Sequence, residues 1–377
     1  MEGLGVTLDW WKGRRVLVTG HTGFKGAWLS LWLAELGADV SGLALAAEDP
    51  KATYDALGRS PGPDGAPIDL RDGPAVARRV AEVDPEVILH LGAQALVRRA
   101  YADPAATWAA NVLGTANLLE AARGRSAPSL RAVVVVTSDK VYANSGDARP
   151  FTEDDRLGSH DPYSASKAAT ELVVESWRHS FFASGDGAGG VGVGLATARA
   201  GNVIGGGDRG EDRLLPDVWR ALEADEPVVL RYPHATRPWQ FVLEPLLGYL
   251  LLAEGLATGA GAAVPPALNF GPDIDGCIPV ADMVERVFER WGGGRWEKVG
   301  DAQPPEAAVL RLDASLAAAT LGWHPRLDVD TALAWTVEWW RTAAAGGDLL
   351  GLARRQIADY SRLAGVAGVA GVAGVTP

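Results

Sequence analysis

The sequence has one cysteine and fewer basic than acidic residues. Because Cys277 is the only cysteine among 377 residues, an intrachain disulfide is excluded, which fits a reducing cytoplasm. Lysine and arginine total 35 against 47 aspartates and glutamates, and the formal net charge is −12. A protein that binds duplex DNA usually carries a basic face, so we expect no nucleic-acid partner. A local phosphate site is still compatible with this net charge.

Long apolar runs are also missing. No run of 18 apolar residues occurs, and the richest stretch, 245–257, contains Glu254. A membrane-spanning helix needs about 20 apolar residues. The N-terminal segment MEGLGVTLDWWKGRR lacks the apolar core of a signal peptide. We therefore expect a soluble cytoplasmic protein without a membrane partner.

The first 200 residues alternate between two patterns. Short apolar runs typical of buried strands alternate with helical spacing at 27–37, 104–122 and 163–182. The runs are RRVLVTG, DVSGLAL, VILHLGA, RAVVVVTS and VGVGLATAR. This alternation predicts the α/β class, with a doubly wound parallel sheet that helices cover on both faces.

The pattern loosens after residue 200, where proline and tryptophan become frequent. We predict a first domain at 1–200, to which roughly 237–270 returns, and a smaller C-terminal α/β lobe at 201–236 and 271–360. Residues 361–377 contain a Gly-Val-Ala repeat. We expect them to be a low-complexity tail without a function of their own.

A glycine-rich turn lies between the first strand and the first helix. The segment VLVTGHTGFKGAWLSLWL spaces Gly20, Gly23 and Gly26 as G-x-x-G-x-x-G. Such a turn lets backbone N–H groups approach a pyrophosphate at the helix N-terminus. The helix dipole disfavours a cation at Lys25. Either a nearby phosphate removes that objection, or the lysine reaches outward into solvent.

Two acidic positions bear on the choice of dinucleotide. An acid about 20 residues beyond the glycine turn would bind the adenosine ribose, and Glu48 and Asp49 lie slightly beyond that distance. No arginine stands beside them for a 2′-phosphate, so NAD is favoured over NADP. Asp69, in IDLRD, is either a second contact to the adenosine or an ordinary loop residue.

Tyr163 and Lys167 in HDPYSASKAATEL are four residues apart. On a helix they share a face. A nearby ammonium lowers the pKa of a phenol, which would make Tyr163 a base for a hydroxyl proton while hydride leaves the same carbon. An isolated match of this kind is common by chance. Its position after the glycine turn and the 133–136 strand favours the catalytic interpretation.

Together these motifs resemble the extended short-chain dehydrogenase/reductase superfamily, over nearly the whole chain up to residue 360. The resemblance implies a Rossmann-type sheet, bound NAD and a C-terminal lobe that binds a nucleotide sugar. It implies cofactor contacts around the glycine turn and the later strand ends. These are Gly20, Thr22, Gly23, Phe24, Lys25, Gly26, Asp69, Leu70, Gly92, Ala93, Tyr163 and Lys167. It also implies a homodimer in which the 104–122 and 163–182 helices pair, and no metal site.

The residues at one strand end, VVVVTSDKVYAN, indicate which branch of the superfamily the chain resembles. Ser138 holds the place of the superfamily's substrate-contacting hydroxyl, and the pair that follows is Asp139-Lys140. Dehydratases of nucleotide sugars commonly carry Asp-Glu here, whereas Asp-Lys resembles one branch, the CDP-glucose 4,6-dehydratases. GHTGFKGAWLSLWL, GNVIGGGDRGEDRLLPD, RPWQFVLEPLLGYL, LNFGP and LGWHPRLDVDTALAWTVEWW also resemble that branch. Phe241 departs from it, because histidine is expected there.

This branch removes water from a 4-keto sugar, which needs an acid at O6 and a base at C5. We expect Asp139 to be the acid, while Lys140 is either the base or the group that stabilises the enolate. The expected catalytic residues are thus Ser138, Asp139, Lys140, Tyr163 and Lys167. The expected substrate contacts are Asn202, Arg213, Arg237 and Asn269, with Asp208 less certain. We interpret His90 as a packed strand residue.

Three alternatives follow from the same motifs. A nucleotide-sugar epimerase would share the Tyr-Lys pair but would not need Asp139 and Lys140. A 4,6-dehydratase for another nucleotide glucose would share every catalytic residue. A catalytically silent NAD-sensing protein would tolerate loss of Tyr163 or Lys167, and both are present.

Overall fold

The computed structural model describes residues 8–47, 53–57, 67–124, 127–144, 146, 149–182, 192–259, 264–299 and 309–366. The predicted ribose contacts Glu48 and Asp49 lie outside the described residues, as does the tail beyond residue 366. Within the described part of the chain, no helix is long and apolar enough to cross a membrane.

Six parallel strands form the central sheet, in the order β10-β5-β4-β3-β1-β2. They are β1 Arg15–Thr19, β2 Asp39–Leu43, β3 Val87–His90, β4 Ala132–Val136, β5 Gly194–Ala200 and β10 Ala267–Phe270. The predicted doubly wound parallel sheet is confirmed. Its edge strand β10 comes from the second half of the chain and pairs with β5.

The helices before residue 200 cover this sheet. They are α1 Phe24–Glu35, α2 Thr53–Ala56, α3 Gly73–Val83, α4 Val97–Ala102, α5 Pro104–Trp108, α6 Gly114–Arg123 and α7 Pro162–Trp177. Alternate residues of β4 enter two separate cores. Val134 and Val136 pack in a core with α1, whereas Val133 and Val135 pack in a core with α3 and α6. Because both faces are buried, the strand is apolar throughout.

The predicted 104–122 helix is interrupted. A π-helical segment, Ala109–Leu113, joins α5 to α6. Within it, the Asn111 side chain turns inward, where Oδ1 accepts from the Gln94 N–H at 2.8 Å and Nδ2 donates to Ser166 Oγ at 2.9 Å. Another π-helical segment, Arg178–Phe182, extends α7.

The second half of the chain adds six helices and three two-stranded sheets within the described residues. The helices are α8 Leu214–Ala224, α9 Leu243–Thr258, α10 Val280–Trp291, α11 Ser315–Leu321, α12 Val329–Ala344 and α13 Leu349–Leu363. The strands are β6 Val203–Ile204, β7 Val228–Leu230, β8 Thr236–Pro238, β9 Gln240–Phe241, β11 Cys277–Pro279 and β12 Trp296–Lys298. β6 pairs with β9, β7 with β12 and β8 with β11.

Candidate active site

The glycine turn at the end of β1 is closely packed. Gly20 has φ +70°, and a Cβ there would lie 2.8 Å from the Gly92 Cα. A Cβ on Gly26 would lie 2.1 Å from the Gly20 carbonyl oxygen. Any side chain at either position would therefore force the turn apart. The ends of β1 and β3 meet here, where the Gly92 N–H donates to Thr19 Oγ1 at 3.0 Å.

The N-terminus of α1 is open to an anion. Aspartate side chains cap α3, α5, α7, α12 and α13. Gly23 instead precedes α1, with no side-chain cap and no acid in the first turn. The first-turn N–H groups of α1 are thus available to phosphate oxygens, which fits the pyrophosphate of a dinucleotide.

Other predicted cofactor contacts lie around this turn. A Cβ on Gly92 would lie 2.8 Å from Leu70 Cδ1, so the 67–72 loop reaches the same edge of the sheet. Thr22 Oγ1 donates to the Leu45 carbonyl at 3.0 Å. The Asp69 carboxylate pairs with Arg71 at 2.5 Å, and that hydrogen bond lowers the pKa of Asp69.

Lys25 does not reach into solvent. Its Nζ donates to the Tyr249 hydroxyl of α9 at 3.3 Å and lies 5.6 Å from the centre of that ring. Burial lowers the pKa of Lys25 to about 7, and the charges of Lys167 and Arg213 lower it further. The charges of Asp139 and Asp208 act in the opposite direction. The side chain therefore turns toward the same centre as the catalytic candidates.

Helix α7 carries Tyr163 and Lys167. The Asp161 side chain caps this helix by accepting from the Ser164 N–H at 2.9 Å. Tyr163 is 8% exposed. The Lys167 Nζ donates to the Val136 carbonyl at the end of β4, at 3.1 Å, and burial lowers its pKa to about 8.

The expectation that the nearby Lys167 lowers the pKa of Tyr163 is wrong. Burial raises the pKa of Tyr163 to about 12, and the Asp139 charge raises it further. A hydrogen bond with Ser138 and the charge of Arg213 oppose this rise. Desolvation of the phenolate thus outweighs the Ser138 hydrogen bond and the Arg213 charge.

Asp139 and Lys140, which are adjacent in the sequence, follow the end of β4. The Ser138 hydroxyl donates to Asp139 Oδ1 at 2.9 Å, and the Lys140 Nζ lies 3.7 Å from the same oxygen. Asp139 is 2% exposed, and its Oδ2 is buried without a hydrogen-bond partner. Through Ser138, this carboxylate is connected to Tyr163. A buried acceptor without a partner is costly and is typical of a ligand-binding atom.

The four predicted substrate contacts have different surroundings. Arg213, at the N-terminus of α8, pairs with Asp208 at 3.0 Å, and its pKa is raised by the charges of Asp208 and Tyr163. Arg237 in β8 is 7% exposed. Asn202 follows β5, and its carbonyl accepts from the Gln240 N–H at 3.1 Å.

The side chain of Asn269 bonds groups within the protein. It is fully buried in β10, where Oδ1 accepts from the Tyr142 hydroxyl at 2.7 Å. Nδ2 donates to the carbonyls of Phe151 and Asp313 at 3.0 and 3.2 Å. Because its amide is used within the protein, we correct the expectation and leave Asn269 out of the substrate site.

The unexpected Phe241 is a core residue. Its ring lies 6.1 Å from that of Trp28 and 5.3 Å from that of Trp335, edge to face in both cases. It is fully buried. His90 is likewise buried, between Thr19 Oγ1 at 2.6 Å and Thr115 Oγ1 at 3.0 Å, and burial lowers its pKa to about 3. The expectation that His90 is a packed strand residue is confirmed.

Comparison with known proteins identifies the family. The model of the NAD dependent epimerase/dehydratase family matches residues 16–262. The chain belongs to this family. It is 42% identical over 353 residues to the CDP-glucose 4,6-dehydratase of Salmonella typhimurium, covering 93% of this chain and 97% of that protein. It is 28% identical to the dTDP-glucose 4,6-dehydratase of Xanthomonas campestris, covering 73% of this chain and 78% of that protein.

A solved structure supports the fold. The dTDP-glucose 4,6-dehydratase of Streptomyces venezuelae, solved with NAD bound, superposes with a TM-score of 0.73 at 24% identity. The match covers 89% of this chain and 99% of that one. As in the family's description, the cofactor is NAD, and the uncapped α1 N-terminus fits it.

Sequence reasoning missed several residues of this family member's site. Tyr249 receives the Lys25 hydrogen bond from a helix 224 residues away, which no local pattern indicates. Glu171 follows Lys167 by four residues, as Lys167 follows Tyr163, and this spacing could have identified it. In the described part of the chain, no group of three His, Cys, Asp or Glu side chains could hold a metal ion.

Proposed function

We propose that this protein is a CDP-glucose 4,6-dehydratase, which forms CDP-4-keto-6-deoxyglucose and water. The observation that carries the proposal is the Asp139-Lys140 pair at the end of β4, with a buried and unpartnered Asp139 Oδ2. The 42% identity to a protein of that activity, over 93% of the chain, supports the choice of cytidine over thymidine.

The cofactor contacts follow from the glycine turn and the nearby strand ends. When bound, NAD would supply the hydride acceptor for C4 of the sugar and the hydride donor for C6. The residues that we assign to its binding are Gly20, Thr22, Gly23, Phe24, Lys25, Gly26, Asp69, Leu70, Gly92, Ala93, Tyr163 and Lys167. The open α1 N-terminus and the close approach of Gly20 to Gly92 support this assignment.

Oxidation at C4 requires removal of the O4 proton. Tyr163 takes this proton. The Ser138 hydroxyl forms a hydrogen bond with the Tyr163 phenol and orients it. Because burial raises the pKa of this phenol, the phenolate needs a positive charge beside it. Lys167, fixed against the Val136 carbonyl, supplies a positive charge one helical turn away.

Elimination across C5 and C6 requires an acid and a base. Asp139 protonates the leaving O6 through its open Oδ2, so that the C6–O6 bond breaks and water departs. Lys140, whose side chain is 30% exposed, either takes the C5 proton or stabilises the enolate while another group takes that proton. The product forms when a proton returns to C5 and the bound NAD would return hydride to C6. The O4 proton held by Tyr163 then replaces the proton that Asp139 gave to O6, so that both groups are restored.

The substrate's diphosphate is assigned to two arginines. Arg213 and Arg237 offer planar guanidinium groups suited to phosphate oxygens. Asn202, which follows β5, is assigned to the substrate as well. Asp208 holds Arg213 in place through hydrogen bonds of 3.0 and 3.1 Å.

The test uses a panel of substrates. CDP-glucose, dTDP-glucose and UDP-glucose are each incubated with the enzyme and NAD, and products are followed by mass. Loss of one water from CDP-glucose, at a kcat/KM well above that for the other two, is expected. Epimerised glucose without loss of water would identify an epimerase, and no turnover of any sugar would favour an NAD-sensing protein.

We also propose a homodimer in the cytoplasm. Large apolar side chains are exposed on α4, α5, the segment after it and α7, namely Tyr101 44%, Trp108 42%, Leu113 51% and Leu172 58%. Exposed apolar patches of this kind mark protein interfaces. The free thiol of Cys277 is compatible with a reducing compartment, which cell fractionation tests.

A further inference from the structure

A buried ion pair lies beneath the catalytic strand end. Glu171 and Arg199 are both about 4% exposed. The Glu171 Oε1 accepts from Arg199 Nε at 3.0 Å, and Oε2 accepts from Arg199 NH2 at 2.8 Å. Thr197 Oγ1 donates to Oε2 at 2.7 Å. The pair thus joins α7 to β5 by parallel hydrogen bonds that fix its geometry.

Residues 137–142 contain the catalytic candidates of the β4 end, and both ends of this segment bind the Glu171–Arg199 pair. Thr137, directly before Ser138, donates its hydroxyl to Glu171 Oε1. Tyr142, two residues after Lys140, accepts at its hydroxyl from Arg199 NH1 at 2.9 Å. The segment that carries Ser138, Asp139 and Lys140 is therefore bound to Glu171 at its N-terminal end and to Arg199 at its C-terminal end.

The same helix carries the oxidation groups. Tyr163, Lys167 and Glu171 follow one another at intervals of four residues on α7 and are all buried. Lys167 bonds the Val136 carbonyl, and Glu171 bonds the next residue, Thr137. The position of Asp139 relative to Tyr163 is consequently set by two adjacent contacts from a single helix.

We propose that the Glu171–Arg199 pair is a positioning device for the elimination step, acting through Thr137 and Tyr142 on Asp139 and Lys140. This inference rests on the proposed dehydratase function. Oxidation at C4 uses Tyr163 and Lys167, which are built into α7, and depends on the segment only through the Ser138 hydroxyl. Elimination depends on where Asp139 Oδ2 meets O6, so a small displacement of the segment affects elimination first.

A purely structural role gives a different expectation. If the pair only stabilised the sheet, removing one of its partners would lower both chemical steps together, through the amount of folded enzyme. If the pair positions the segment, the rate of elimination falls more than the rate of C4 oxidation, even in enzyme that is fully folded and loaded with NAD.

The test removes single hydroxyl groups. Tyr142→Phe keeps the ring, which stacks on Phe151 with centres 4.8 Å apart, and removes only the contact to Arg199 and Asn269. Thr137→Val removes the contact to Glu171, whereas Thr137→Ser retains a hydroxyl and should restore it. Thr336→Val is the matched control, because Thr336 is a fully buried threonine of α12 that bonds only the Ala332 carbonyl among the contacts described.

Single-turnover measurements with CDP-glucose follow reduced nicotinamide by absorbance and dehydrated product by mass. In Tyr142→Phe and Thr137→Val, we expect product formation to fall roughly 10- to 100-fold while C4 oxidation stays within about twofold. Thr137→Ser and Thr336→Val should behave like the wild type.

Equal losses in both steps, or no loss in either, would overturn the positioning role while leaving the dehydratase function intact. The wild-type enzyme provides the separate check. If it releases no dehydrated product under the same conditions, the proposed function itself is wrong, and this inference is wrong with it.

Discussion

The carboxylate of Asp139 faces the backbone of Gly201 across the ends of β4 and β5. A Cβ on Gly201 would lie 3.1 Å from Asp139 Oδ2, and that oxygen is buried without a hydrogen-bond partner. That Cβ would also lie 2.7 Å from Pro238 Cγ. Only a glycine at residue 201 therefore lets the end of β5 lie this close to the Asp139 carboxylate.

The Asp139→Asn variant tests whether Asp139 is the acid that protonates O6. The change keeps the shape of the side chain but removes the proton that O6 must receive. We expect elimination to fall roughly 10²- to 10⁴-fold, the usual contribution of a positioned general acid, while NAD binding and C4 oxidation continue. Rapid-mixing absorbance of reduced nicotinamide, beside product mass, separates the steps. Wild-type product formation would show that Asp139 is not the acid.

The Tyr163→Phe variant should fail one step earlier. Without the phenol oxygen, the O4 proton has no acceptor, so we expect C4 oxidation to fall roughly 10²- to 10⁴-fold. Substrate affinity, measured by calorimetry, should change little. Tyr232→Phe, after β7, serves as the control. Reduced nicotinamide appearing at the wild-type rate in Tyr163→Phe would assign the base to another residue.

Glu244 should make stability depend on pH. It is fully buried, and Tyr360, Arg326 and Leu327 donate hydrogen bonds to it. Burial, the largest cause, raises its pKa from 4.5 to about 7, although those donors and the Arg326 charge oppose the rise. The folded state therefore binds more protons than the unfolded state between these values. Its contribution is fully present below about pH 4.5 and is lost as the pH rises through about 7.

Urea unfolding of the wild type and Glu244→Gln at pH 5 and pH 8 measures this effect. The free energy of unfolding of the wild type, relative to that of the variant, should fall by up to about 3 kcal/mol between these pH values. Glu223→Gln, an exposed change on α8, should show no such difference. A constant gap between wild type and Glu244→Gln would contradict the assignment.

The Leu172→Arg variant should dissociate the dimer. Leu172 is 58% exposed on α7, and Trp108 is exposed on α5, which contacts α7. A charge at residue 172 would be buried in a two-fold interface without a partner. Light scattering should give about twice 39.5 kDa for the wild type and 39.5 kDa for the variant. Val229→Arg, at a 52% exposed position on β7, should remain dimeric. A monomeric wild type would refute the proposal.

The sequence by itself determined the fold class and the main catalytic candidates. Alternating apolar and helical patterns depend on neighbours two to four residues apart, so they predict a parallel sheet without knowledge of tertiary contacts. The glycine turn and the Tyr163–Lys167 spacing are local in the same sense. The Asp139-Lys140 pair could be read directly, because it ends a strand that is apolar throughout.

Only the tertiary structure decided how the remaining side chains are used. Lys25 turns toward Tyr249, 224 residues away, and Asn269 bonds Tyr142 across 127 residues. The pairing of Glu171 with Arg199 spans 28 residues and two elements. A buried polar side chain needs a hydrogen-bond partner, and its function depends on which partner it has. Tertiary packing decides which residue that partner is.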